Sequence, residues 1–249
     1  MNSSPSSVIA DQVRHHRNRL GMTREQLAAE CAKLGAPELT YAAITNIETG
    51  RNDPKTGKRR REVTVEELLL LGTALGVPPL LLFLPLGERD TVPVLPDQPE
   101  QHPHAVWKWM TGEGEPCMVG PDGRLYADTR SLGDTGKSRV QATLAAGHAA
   151  RLYRELQMTT DYFNSAHGRY VFSLNRFGPD AEQTRDLRSD RLGQMDALAG
   201  VLNRMTEAGV RPPAQSLTLV TEMRGLELLT TPDAIETIDD VERMSDNGQ

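Results

Sequence analysis

The feature that most constrains this chain is the punctuation of its first third, where capping residues and glycines cut the sequence into short helical lengths. Ile9, Val13, His16 and Leu20 recur at helical spacing, and Gly21 ends that run. Thr23, with Gln26 three residues on, forms a capping-box pattern ahead of Leu27, Ala28, Cys31 and Leu34, and Gly35 closes the segment. Thr40 caps a third helix that turns Ile44 and Ile47 inward and stops at Gly50. Thr64, with Glu67 in the capping position, opens a fourth, expected to bury Val65, Leu68, Leu69 and Leu75 before Gly76. Pro78 and Pro79 suit the first turn of a fifth, whose Leu80 to Leu84 run closes a core. Residues 8–84 therefore read as one small helical domain.

The rest of the chain is less sharply marked. Pro93, Pro96, Pro99 and Pro103 run through a polar stretch, so 85–103 reads as a linker. Residues 104–244 then read as a second, helical domain for dimerisation or effector binding. Within it, Cys117 to Tyr126 around Pro121-Asp122-Gly123 suits one small β-hairpin. A helix is expected from about Ser138 to Phe163, with Ala149, Leu152, Tyr153, Leu156 and Phe163 on one face. Another is expected from about Pro179 to Ala208, where Met195, Leu198, Leu202 and Met205 follow coiled-coil spacing. That seam serves equally a dimer or a hairpin within one chain. Leu217 to Leu229 reads as helix or strand, and Thr231-Pro232-Asp233 as a helix start leading into Ile235, Ile238 and Val241. With 38% hydrophobic residues and only 4% aromatic, the fold class is all-α or mostly so, since sheets draw on aromatic and β-branched residues.

Several classes of function find no support. Cys31 and Cys117 are too few and too isolated for a disulfide framework or a four-cysteine zinc site. His102 and His104 lack a third ligand at suitable spacing, Cys117 being the nearest. No nucleophile–base–acid signature and no phosphate-cradling glycine loop in strand-to-helix context is present, so no enzyme, metal or cofactor is expected. The N-terminus lacks an apolar h-region. The longest apolar run, Val77 to Leu84, holds two prolines and falls far short of the roughly 20 residues that span a bilayer. A soluble, cytoplasmic protein without membrane contact is the expectation.

Charge is unevenly distributed. Residues 8–61 carry eleven Lys and Arg against six acids, a net of +5, which leaves about −11 on the remainder of a chain whose total is −6. A basic module joined to an acidic one suits a protein of which only one part meets phosphate.

The stretch Gly21-Met22-Thr23-Arg24-Glu25-Gln26-Leu27-Ala28, followed by Thr40-Tyr41-Ala42-Ala43-Ile44-Thr45-Asn46-Ile47-Glu48-Thr49-Gly50-Arg51, resembles the Cro and phage-repressor family, also called XRE-type helix-turn-helix regulators. Glu67-Leu68 with Ala74-Leu75-Gly76-Val77 resembles that family's fourth helix, so the likeness covers about the first third of the chain. It implies a five-helix lambda-repressor-like DNA-binding domain whose third helix enters the major groove. It also implies base reading by Tyr41, Ala42 and Asn46, with Thr23, Gln26, Thr40 and Thr45 at the same surface. Asn46 has the donor and acceptor that pair adenine, and Ala42 the methyl that meets thymine. Where the family often has Gln, this chain has Arg24, assigned to phosphate or guanine.

Two departures stand out. The interval from Ala28 to Ile44 is 16 residues, so the turn is enlarged through Ala36-Pro37-Glu38. Between the third and fourth helices lie Arg51, Lys55, Lys58, Arg59, Arg60 and Arg61, six cations in eleven residues, suited to phosphate contacts. The leading expectation is a transcriptional regulator that binds double-stranded DNA as a homodimer on two half-sites, with room for a small-molecule or protein effector in the second domain. The alternative is a protein-interaction module, antitoxin- or adaptor-like, whose acidic C-terminal helices bind a partner protein.

Overall fold

The computed structural model describes residues 4–50, 61–95, 99–113, 118–119, 125–126 and 134–239, and they are mostly helical. The chain divides into two compact units, residues 1–144 and 145–249.

In the first unit, α1 (Pro5–Arg19) starts earlier than the apolar spacing alone indicates. Ser4 and Ser7 cap it reciprocally, and Pro5 occupies the first turn, where a missing N–H costs nothing. α2 (Arg24–Lys33) and α4 (Val65–Leu75) open with the reciprocal caps Thr23/Gln26 and Thr64/Glu67, and Thr40 caps α3 (Tyr41–Thr49). Gly50 and Gly76 end α3 and α4 in the left-handed region, at φ 51° and 62°. α5 (Pro79–Phe83) completes the five helices. Val13, Leu27, Cys31, Ile44, Ile47, Leu71 and Leu82 are fully buried in one core, and burying each large side chain of this kind contributes about 1.5–3 kcal/mol.

α4 buries only half of the face expected from its sequence: Leu75 lies in the core and Leu68 packs against it, but the other two residues do not. Val65 and Leu69 are 68% and 52% exposed, while Leu71, Gly72 and Leu75 turn inward. In a helix so rich in leucine the period is ambiguous, and the packed neighbour decides the phase: Gly72 is where α5 comes closest, through Pro79.

The described part of 85–103, expected as a linker, packs on this unit. Val92 and Gln101 exchange backbone hydrogen bonds of 2.8 Å, and Val92 is buried with Val8, Leu84 and Val106. Val106 lies on α6 (Pro103–Met110), which begins with His102 Nδ1 accepting from the His104 amide. Beyond it, β1 (Met118–Val119) and β2 (Leu125–Tyr126) pair antiparallel, with Met118 opposite Tyr126, as the hairpin expectation has it.

α7 (Asp134–Ala146) leads towards the second unit, which is built on α8 (His148–Phe177) and α9 (Glu182–Glu207). The single helix expected from about Ser138 to Phe163 is two, divided at Gly147, and the second runs on to Phe177, where Ala166 and Ser173 continue its inward face. α8 and α9 are antiparallel: Glu155 pairs with Arg204 near one end, and Ser173 with Thr184 near the other. Met195, Leu198, Leu202 and Met205, the expected seam, are all fully buried against α8 and α10 (Leu217–Gly225) within the chain. The helix expected after Thr231 is not formed. A single 3-10 turn at Pro232–Ala234 leads to β4 (Thr237–Ile238), which pairs in parallel with β3 (Gln215–Ser216), while Ile235 plugs the core. Among the described residues, no helix is long and apolar enough to cross a membrane.

Candidate nucleic-acid interface

α2 and α3 are the two helices that the sequence reading assigns to a helix-turn-helix. The enlarged turn between them is pinned from inside by Ala36 and Leu39, each 1% exposed. The Ala36 amide donates to the Cys31 carbonyl at 3.0 Å and the Leu39 amide to the Ala36 carbonyl at 3.1 Å, so the turn's extra residues are built on the core. With α3 fixed in this way, its amphipathic pattern decides what faces out. Ala43, Ile44 and Ile47 are buried, whereas Tyr41, Ala42 and Asn46 are exposed and Thr45 is half-buried.

The described residues among those predicted are not equally available. Thr40 Oγ1 accepts from the Ala43 amide at 3.3 Å. Thr23 Oγ1 accepts from the Gln26 amide at 3.2 Å, and Gln26 Oε1 accepts from the Thr23 amide at 2.7 Å, so both side chains already serve the start of α2. Thr45 Oγ1 is buried with no hydrogen-bond partner. Asn46 is exposed, and no hydrogen bond of its side chain is among those described. Arg61 pairs with Glu67 in the first turn of α4. Arg51, Lys55, Lys58, Arg59 and Arg60 lie outside the described residues.

Arg24 is joined to a group that the sequence reading passed over. Its Nε donates to Glu48 Oε2 at 2.8 Å. Arg17, from α1, donates to both oxygens of the same carboxylate, at 2.5 and 3.0 Å, and to the Met22 carbonyl at 2.7 Å. Arg14 donates to the Glu48 backbone carbonyl. One carboxylate with no exposed side-chain surface thus ties α1, α2 and α3 together. Burial alone would push its acid up, but the hydrogen bonds and charges of Arg17 and Arg24 outweigh that and hold it below the ordinary carboxylate value. The hydrogen bond to Glu48 also holds Arg24 more firmly protonated. A signal for the buried acid, though not for its partners, did exist: Glu48 follows Ile44 by four residues, so a charge falls on the inward face of α3, where it requires a partner.

No protein-family model, no curated protein and no solved structure matches this chain.

The remaining candidates are of another kind. His102 Nδ1 is engaged as the acceptor that starts α6. Among the described residues, no group of three or more His, Cys, Asp or Glu is placed to hold a metal ion. Cys31 lies in the core, where burial pushes its thiol up, away from the reactive thiolate.

Proposed function

We propose that this protein is a cytoplasmic transcriptional regulator that binds double-stranded DNA sequence-specifically, as a homodimer on two half-sites. The observation that carries the reading is the outward face of α3. Tyr41, Ala42 and Asn46 stand exposed at its start and middle, on a helix whose opposite face and only carboxylate are locked to α1 and α2. A groove-reading helix needs small or polar outward side chains on a rigid support. The likeness of 21–28 and 40–51 to XRE-type regulators and the +5 charge of residues 8–61 point the same way. Asn46 reads adenine, Ala42 lies against a thymine methyl, and Arg24 turns the edge of its guanidinium that Glu48 does not hold towards phosphate. The Lys55 to Arg61 stretch adds backbone affinity without reading sequence.

The test is a gel shift of the full chain against the DNA upstream of its own coding sequence, across a salt series. Affinity falls steeply with salt, and Asn46→Ala relaxes discrimination at one base pair by about 1–3 kcal/mol. Arg59→Ala with Arg60→Ala weakens all sequences alike and flattens the salt slope. A chain that gives no salt-sensitive complex, or whose affinity is untouched by these changes, does not bind DNA in this way. It would then be the protein-interaction module, which a stoichiometric partner in a pull-down would identify.

A further inference from the structure

α9 spends its apolar seam inside the chain, but α8 keeps a second one in solvent. Met158, Tyr162 and Phe172 are 51%, 58% and 61% exposed. They belong to a row, Met158, Tyr162, Ser165, Arg169, Phe172 and Arg176, whose spacings alternate between four and three, the interval that draws a straight line along a supercoiling helix. Beside its C-terminal half lies an open hollow of about 470 Å³ between α8 and α9, walled by Gly168, Phe172, Ser173, Phe177 and Leu187.

We infer that this face of α8 binds a second copy of the same chain, the two α8 helices running antiparallel about a two-fold axis at Ser165. The residues select this arrangement over its alternatives. Reversal about Ser165 sets Met158 against Phe172 of the partner subunit, a sulfur–aromatic contact repeated on the other side of the axis. It sets Asp161 against the partner's Arg169, an opposite-charge pair made twice. A parallel pairing would instead stack Arg169 on Arg169 and Arg176 on Arg176. Arg169 already donates to Ser165 at 3.0 Å and to Asp190 at 2.7 Å, both at the surface, and five guanidinium donors leave room for another carboxylate. From Met158 to Phe172 the row runs roughly 21 Å at 1.5 Å per residue.

The inference supplies a face for the dimer that the proposed function needs, but its test contains no DNA, so either can fail without the other. Sedimentation of the full chain at micromolar concentration is expected to show a dimer. In a Cys117→Ser background, Ser165→Cys sits on the axis and is expected to cross-link under mild oxidation at least about tenfold faster than Asn164→Cys, which faces away. Met158→Glu with Phe172→Glu gives a monomer of unchanged helix content. Asp161→Arg weakens the dimer, and adding Arg169→Asp restores it. A chain that sediments as a monomer overturns the inference. So does a dimer that survives the glutamate pair, or one in which the two cysteine variants cross-link at equal rates.

Discussion

At the scale of single residues, Glu48 is the position on which most depends. Removing it leaves Arg17, whose side chain is 10% exposed, without the carboxylate it is hydrogen-bonded to. Breaking a buried pair by deleting one partner typically costs about 3–5 kcal/mol. Glu48→Ala is therefore expected to lower the midpoint of urea unfolding of the first unit sharply, and Glu48→Gln less so, since an amide oxygen still accepts. The carboxyl is held below its ordinary 4.5 when folded. Its contribution is thus complete above that value and drains away as pH falls through the folded one. Glu48→Gln should flatten the acid limb of a stability-against-pH curve in that window. His16 acts in the same direction at higher pH. Burial, with Arg19 and His15 nearby, lowers its pKa from 6.5, so what it contributes is present above that pH and lost below it. His16→Gln should remove the part of the decline that begins there. The Thr23, Thr40 and Thr64 caps were legible in the sequence because a cap is a contact over three residues. The three-helix clamp was not, because Arg17 and Glu48 lie 31 residues apart and only the folded chain shows which arginine the buried acid meets.

At the scale of elements, the contact between α4 and α5 shows how packing overrides local preference. Alanine is worth about 1 kcal/mol more than glycine inside a helix, yet a Cβ on Gly72 would fall 2.7 Å from Pro79 Cγ and 2.9 Å from the Val77 carbonyl oxygen. Gly72→Ala is accordingly expected to destabilise by about 1–3 kcal/mol as α5 is pushed away, which thermal unfolding would register. A stabilised variant would mean that α5 gives way at little cost. The same competition explains why the fold was readable only in part. Where apolar residues are sparse, as in α3, their spacing fixes the buried face. In the leucine run of α4 it does not, and Val65 and Leu69 come out in solvent. α8 shows the converse: Phe172 and Phe177 are exposed, so beyond Phe163 the inward row formed by Ala166 and Ser173 is small and weakly apolar, and the spacing of apolar residues does not reveal the rest of the helix.

At the scale of the whole molecule, the separation into two units makes a prediction about affinity. A fragment of residues 1–144 keeps α1 to α5 with their core and clamp, and on the proposed reading it contacts one half-site as the full chain does. Without the partner held by α8, it loses the effective concentration that makes a second half-site nearly intramolecular. Its affinity for a two-site operator should fall by roughly 10²–10⁴-fold, with little change for an isolated half-site. Titration of both fragments of DNA with both lengths of protein measures this, and an equal loss on the two would reject it. The way α3 is held has a further consequence. Ile44, Ile47 and Glu48 anchor it, while Tyr41, Ala42 and Asn46 lie outside both hydrophobic cores, and of the three only Tyr41 touches the clamp, at Arg24. Surface changes of that sort usually move stability by no more than about 0.5 kcal/mol. Mutation can therefore explore new recognition alphabets at these three positions while foldability stays untouched, which makes α3 a natural cartridge for re-targeting.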